Sequence, residues 1–316
     1  MVEPTHRGPR RRWIGSGAAA GLATAGMMVY RAGPSFWQQH IREWKRPVMG
    51  TPHRPKVETW GDKGFHAAWI GHSTVLLKID GFTILTDPVF SVRAGIHLAG
   101  LASIGVKRLI EPALELVKLP HIDLILLSHA HMDHFDIPSL RFLESKARTV
   151  VTAKHTSDLL RIPNWKHVYE LEWGQHLRIG PLQIKAIEVN HWGARVRTDT
   201  FRGYNGYIIE LGEHRVLFAG DTADTHAFSK VAGPKGVTVA LMPIGAYDPW
   251  VRFHCTPEQA WRMAMDARAE FVLPIHHQTF QLSREPLHEP IERLQAAAGP
   301  AKDRVVLTGI GQEWRL

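Results

Sequence analysis

Three imidazoles and a carboxylate fall within six residues of the segment Ser128-His129-Ala130-His131-Met132-Asp133-His134. The run before it, Ile122-Asp123-Leu124-Ile125-Leu126-Leu127, is almost purely apolar and reads as a buried strand of a two-layered sheet. Residues two apart on an extended chain point the same way, so His129 and His131 are placed to grip one ion. Asp133 and His134, where the chain turns toward a helix, face a second. Nitrogen and carboxylate donors in this mix suit zinc, with manganese or iron as alternatives. A two-metal site needs about three more ligands, and candidates stand just past other apolar runs. His191 follows residues 182–188. Asp221 ends Phe218-Ala219-Gly220-Asp221, where glycine permits the turn. His276 and His277 follow Pro274-Ile275.

The elements that must position these groups begin at Phe65. Residues 67–72 and 74–79 read as strands, Asp80-Gly81 is a hairpin turn, and residues 82–86 return to Asp87-Pro88. Residues 90–120 read as a loop with short helical pieces. Residues 138–146 read as a short helix, 149–152 as a strand, and the chain to about Arg161 as another helix. Further strands are expected at 168–171, 176–179, 182–189, 204–210, 215–219, 237–242 and 271–274. Thr256-Pro257-Glu258-Gln259 opens a helix, with threonine as cap, proline in the first turn and glutamate at the positive dipole end. Hairpins followed by strands alternating with helices define an α/β protein of two packed sheets with helices outside.

Composition narrows the function classes. Apolar residues at 44% and charged residues at 22% are ordinary for a globular chain. The single cysteine, Cys255, excludes internal disulfides and a cysteine-based zinc site. The formal charge of +8 is concentrated at one end. Residues 1–46 hold eight Lys/Arg against Glu3 and Glu43, leaving +2 for the other 270 residues. A nucleic-acid footprint would be a stripe on the folded domain, so nucleic acid is not an expected partner. Instead, Arg10-Arg11-Arg12-Trp13 precedes seventeen uncharged residues, 14–30, in the layout of a basic region and an apolar core. That resembles a twin-arginine export signal, with Ala23-Thr24-Ala25 as a cleavage box. The same segment is just long enough to remain as a membrane anchor. The expectation is a signal or anchor over residues 1–46, a hydrolase domain over 47–316, and a membrane-associated or exported location through residues 10–30.

The order H-x-H-x-D-H, then His191, then Gly220-Asp221-Thr222, then His276, resembles the metallo-β-lactamase superfamily. Trp69-Ile70-Gly71-His72-Ser73-Thr74, Leu85-Thr86-Asp87-Pro88-Val89-Phe90-Ser91, Ala219-Gly220-Asp221-Thr222 and Pro243-Ile244-Gly245-Ala246-Tyr247 look like the branch of N-acylphosphatidylethanolamine-hydrolysing phospholipase D and its bacterial relatives. The resemblance spans roughly residues 65–280. It implies an αββα sandwich, two mixed sheets packed face to face with helices outside. It also implies two zinc ions, one held by His129, His131 and His191 and the other by Asp133, His134 and His276, with Asp221 bridging. The family's last ligand is usually followed by tryptophan, whereas His277 follows His276 here. The last position is therefore His276 by resemblance, with His277 as the alternative.

Such a pair of ions would lower the pKa of a bridging water and neutralise charge on a phosphoryl or acyl oxygen. The resulting hydroxide would attack phosphorus in line and expel an alcohol, with Asp133 orienting the water or relaying its proton. No Gly-x-Ser-x-Gly elbow is present to supply a serine nucleophile. By resemblance Asp87 orients a ligand histidine from behind. His72 lies near the same mouth, where it would hydrogen-bond a ligand or substrate, and His254 precedes the Thr256 helix start, where it would meet a phosphate or leaving group. Tyr247, Trp192, Trp250 and Phe253 form a candidate apolar rim. The expected function is hydrolysis of a phosphodiester, plausibly of N-acylphosphatidylethanolamine-type phospholipids. A metal-dependent lactonase or other ester hydrolase is the first alternative and a non-catalytic, membrane-anchored metal-binding protein the second. Oligomeric state has no sequence signal.

Overall fold

Strands that read as continuous apolar runs do so here because both of their faces are buried. The computed structural model describes residues 43–98, 102–196 and 198–316. In chain order the strands are β1 (Phe65–Gly71), β2 (Thr74–Ile79), β3 (Phe82–Thr86), β4 (Arg93–Leu98), β5 (Ala102–Lys107), β6 (Leu124–Leu126), β7 (Thr149–Ala153) and β8 (His167–Leu171). They continue as β9 (His176–Ile179), β10 (Leu182–Ile187), β11 (Gly206–Leu211), β12 (His214–Phe218), β13 (Val237–Pro243), β14 (Ala269–Ile275) and β15 (Glu313–Arg315). The described α-helices include α1 (Ile137–Phe142), α2 (Ala227–Val231), α3 (Pro257–Asp266) and α4 (Glu289–Ala298).

One sheet runs β15-β1-β2-β3-β6-β7-β8 and the other β14-β13-β12-β11-β10-β9, each mixing parallel and antiparallel pairs. The expected αββα sandwich is therefore the observed one. Period-2 alternation divides the second sheet cleanly. Tyr207, Ile209, Val216, Phe218, Val239 and Leu241 enter the layer shared with Leu76, Leu85 and Ile125 of the first sheet. Their neighbours Ile208, Leu217, Ala240 and Met242 pack outward against Phe228 of α2, Met263 of α3 and Leu294 of α4. Each such buried side chain contributes roughly 1.5–3 kcal/mol.

The strand directions bring the loops of interest together. β3 and β6 are parallel with Thr86 beside Leu126, so Asp87 and Ser128 emerge at one level. In the second sheet β12, β13 and β14 are parallel, which delivers Asp221, Gly245 and His276 to one end. Helix α3 forms as its sequence dictates. Thr256 Oγ1 accepts from Gln259 N, and Gln259 Oε1 accepts from Thr256 N at 2.9 Å, a reciprocal capping box.

Three expectations are corrected. Residues 90–120 contain a β-hairpin, β4 with β5, rather than a loop with helical pieces; the described helical part is a single 3-10 turn at Leu116–Lys118. Gly95 faces Gly105 across it, and a Cβ on Gly95 would lie 2.0 Å from Ile104 O. The two glycines thus permit close strand approach. The helix expected up to Arg161 is two 3-10 turns, Ser157–Leu159 and Ile162–Asn164, because Pro163 cannot extend a helical ladder. Helix α4 and edge strand β15 lie where no element was expected. Among the described residues no helix is long and apolar enough to cross a membrane; the expected signal or anchor at 10–30 lies outside them.

Candidate metal centre

Strand β6 is followed by Leu127 and Ser128, both fully buried, and the chain there is tied to Asp87. Ser128 N and Ser128 Oγ donate to the Asp87 carboxylate at 2.7 and 2.6 Å, and His134 Nδ1 donates to it at 2.7 Å. Ser128 Oγ, its proton committed to Asp87, accepts from His129 Nδ1 at 2.9 Å. One buried carboxylate thereby sets the orientation of two imidazoles and leaves the Nε2 lone pair of each directed into the cleft. Burial raises the Asp87 pKa, against the His134 and Ser128 contacts that lower it. His191 is oriented alike, Nδ1 donating to Phe253 O at 2.9 Å.

The free atoms converge in two groups. His129, His131, His191 and Asp221 each bring one ligand atom into a common cluster, as do His72, Asp133, His134 and His276. In the first, His129 Nε2 lies 2.8 Å and His191 Nε2 3.3 Å from His131 Nδ1. In the second, His134 Nε2 and His276 Nε2 lie 3.6 and 3.5 Å from Asp133 Oδ2. Asp221 Oδ2 touches both, 3.9 and 3.8 Å from His129 and His191 and 3.1 and 3.2 Å from His134 and His276. Gly220 makes this possible: its φ is +60°, and a Cβ there would meet Ser128 Cβ at 2.8 Å.

The donor set fits divalent cations. Buried His134 Nε2, His276 Nε2 and Asp221 Oδ1 have no hydrogen-bond partner, an unusual accumulation unless something else satisfies them. Burial drives His129 and His191 well below the usual imidazole range and lowers His131, so these rings are neutral, as ligands must be. Burial works against ionisation of Asp133 and Asp221, but the adjacent histidines outweigh it and hold both carboxylates well below their ordinary values. The positive charge comes from protons. Against burial, Asp221 and Asp133 raise His134 well above its usual value and His276 to about 9.

That sign predicts a pH dependence. A cation takes the neutral imidazole, whereas the metal-free protein keeps His276 protonated until about pH 9, so binding near neutral pH must expel protons. Zinc affinity is expected to rise with pH through neutrality. Calorimetry in two buffers of different ionisation enthalpy should read at least one proton released per chain; identical heats would contradict this.

The other expected residues divide. His276 points into the cluster, whereas His277 turns away and stacks on Trp69 at 4.5 Å and 20°. His72, 1% exposed, directs Nε2 to Asp133 Oδ2 at 3.0 Å, so its contact is a ligand candidate rather than the open mouth. Its φ of 53° is held by Trp69 Nε1 and His276 N, which donate to its carbonyl, and by Thr279 Oγ1, which accepts from its N–H. His254 stands between the groups, Nδ1 3.8 Å from Asp221 Oδ2, with burial lowering its pKa to about 4. Trp192, Trp250 and Phe253 are exposed around the mouth, Trp192 lying 4.7 Å from the His131 ring. Tyr247 does not join them: it is buried, its hydroxyl donating to Glu289 and its ring under Arg293.

Sequence reasoning missed Arg195. From the loop after His191, its guanidinium donates to Ala130 O at 2.9 Å and Phe135 O at 2.8 Å, closing the segment that carries His131, Asp133 and His134. Burial lowers its pKa to about 10, which leaves it charged. The only sequence signal was an arginine four residues beyond a ligand candidate. Arg195→Gln is expected to weaken zinc binding about tenfold, measured by competition with a chromogenic chelator. Unchanged affinity would show that the segment holds its shape without this residue.

The match to known proteins agrees with this geometry. The family model described as "Beta-lactamase superfamily domain" matches residues 83–277. The chain belongs to that superfamily, and is a metal-dependent hydrolase of the metallo-β-lactamase kind. It is 33% identical over 277 residues to an uncharacterised protein of Mycobacterium tuberculosis, spanning 84% of this chain and 73% of that one. It is 31% identical over 259 residues to the mitochondrial N-acyl-phosphatidylethanolamine-hydrolyzing phospholipase D of Saccharomyces cerevisiae, covering 77% of this chain and 54% of the yeast protein. Among solved structures, a metallo hydrolase from Ignicoccus hospitalis shares the fold, with a TM-score of 0.60 at 20% identity, over 80% of this chain and 99% of that one.

Proposed function

We propose that this chain hydrolyses phosphodiesters of the N-acylphosphatidylethanolamine type, with water as the nucleophile and two zinc ions, or manganese or iron, as its metals. The carrying observation is the meeting of two ligand groups on one oxygen, Asp221 Oδ2. In this reading His129, His131 and His191 hold one ion, Asp133, His134 and His276 the other, and Asp221 both. Bound there, two divalent ions supply a lowered pKa for a shared water and neutralise charge developing on a phosphoryl oxygen.

The protein's own groups do the remaining work. Asp133, fixed by its bond from His72, would orient the water or relay its proton onward. His254, neutral at pH 7 and partly open to the mouth, hydrogen-bonds a phosphoryl oxygen. The exposed rings of Trp192, Trp250 and Phe253 form an apolar rim at the mouth. Similarity to the yeast enzyme supports this substrate class, and a membrane-facing location through residues 10–30 would place the site near it. The test is metal content on the purified protein together with bis(p-nitrophenyl) phosphate turnover before and after chelation. About two metals per chain and phosphodiester turnover restored by zinc or manganese is the expected result. Two metals with turnover of lactones alone would replace it by the lactonase reading.

A further inference from the structure

Beside the metal centre, the same end of the first sheet carries a groove that the centre does not use. Strands β6, β7 and β8 are parallel neighbours. The segment after β6 holds the ligand candidates. Lys154 and His155 after β7, and Glu172 and Trp173 after β8, line an open groove of about 530 Å3 with Phe201 and Tyr204 opposite. Buried Leu171 lies at its base.

Tyr204 joins groove and centre. Its backbone pairs with His129, and its ring stands edge-on to His191 at 6.3 Å and to Trp173 at 5.4 Å. Several polar groups around the groove are paired with one another. Trp173 Nε1 donates to Tyr204 O at 2.7 Å, Asn205 Nδ2 to Leu171 O at 2.9 Å and Gly203 N to Lys154 O at 2.8 Å, while Lys154 pairs with Glu172. What remains for a ligand is largely aromatic surface, with the exposed His155 ring beside it: Trp173 is 43% exposed and Phe201 63%. A groove of this volume is in the range of ligand sites, and exposed apolar surface beside an active centre marks binding. Having few polar groups left to offer, it suits a ligand segment with no polar atoms.

We infer that this groove binds the hydrocarbon chain of the substrate whose phosphodiester lies at the metal centre, an inference that rests on the phosphodiesterase reading above. The chain enters past Tyr204 and lies between Trp173 and Phe201, with the Lys154–Glu172 pair at the water-exposed rim.

The test uses alkyl p-nitrophenyl phosphates from methyl to decyl, kept below micelle-forming concentrations, on the zinc-loaded protein. For the wild type kcat/KM should rise roughly threefold per methylene until the groove is filled. In Trp173→Ala/Phe201→Ala that rise should fall below about 1.5-fold per methylene, with the methyl ester within about twofold of wild type. Because both positions are exposed the fold is retained; Phe201→Ala alone gives the same direction at smaller size. An undecanoic acid carrying a dansyl amide, titrated by fluorescence, reads the groove without catalysis and should bind about tenfold more weakly to the double variant. An unchanged slope in the double variant, no chain-length dependence in the wild type, or a slope abolished instead by Trp250→Ala overturns the groove. If no ester of the series is hydrolysed but dansyl binding still depends on Trp173 and Phe201, the groove stands as a chain-binding site and the phosphodiesterase reading fails.

Discussion

Asp221→Ala is expected to lower phosphodiester turnover by about a thousandfold or more and to leave the protein folded. The carboxylate lies within 3.9 Å of two histidines of one ligand cluster and within 3.2 Å of two of the other, so its removal takes a ligand from each metal. Folding survives because the loss is self-correcting in charge. Asp221 is the main source of the raised pKa values of His134 and His276; without it burial favours their neutral forms, and no unpaired cation stays in the core. Metal analysis should show fewer than two ions per chain, with a melting temperature in the absence of metal near that of the wild type. A variant that fails to fold while the wild type shows no turnover would favour the metal-binding, non-catalytic reading.

Asp87→Ala should show the complementary pattern, with stability lost together with the site. Asp87 is fully buried and accepts from Ser128 N, Ser128 Oγ and His134 Nδ1. Alanine leaves three donors without acceptors in a place water does not reach, and places a β-carbon residue with no carboxylate at a φ of 30°. Breaking such a buried pair costs about 3–5 kcal/mol, readable by urea denaturation of the metal-free protein. His129 and His134 also lose the contacts that aim their Nε2 atoms, so zinc affinity should fall about 10–100-fold. Asp87→Asn keeps the shape and should fall between wild type and alanine in both measurements. Wild-type stability for Asp87→Ala would mean that the orphaned donors find other partners.

The two variants separate roles that look alike in sequence, because each aspartate simply follows a strand. They differ in what the fold brings to them. Thr86 lies beside Leu126 in a parallel pair, which puts Asp87 under the ligand segment. Asp221 leaves a strand of the opposite sheet and reaches across the seam.

Much of the protein was legible from residue order. The crowding of His129, His131, Asp133 and His134 after an apolar strand is local information, since donor type and strand periodicity are set by neighbours along the chain. The helix start at Thr256 was legible for the same reason, and so were most strands of the second sheet. The hairpin of β4 and β5 was not, because its pairing rests on Gly95 and Gly105 each making room for the other's strand. His276 was preferred to His277 only by resemblance, since the two offer the same chemistry one residue apart. That choice depends on the backbone at the end of β14, where a left-handed φ at His276 turns one ring toward Asp221 and sends the next against Trp69. Arg195, the contact of His72 with Asp133 and the groove beside Tyr204 follow the same rule. Residue types and their local periods determined the fold class and the ligand candidates. Which carboxylate bridges, which histidine points inward and which loop braces another are long-range pairings, and only the packing of two sheets against each other decides them.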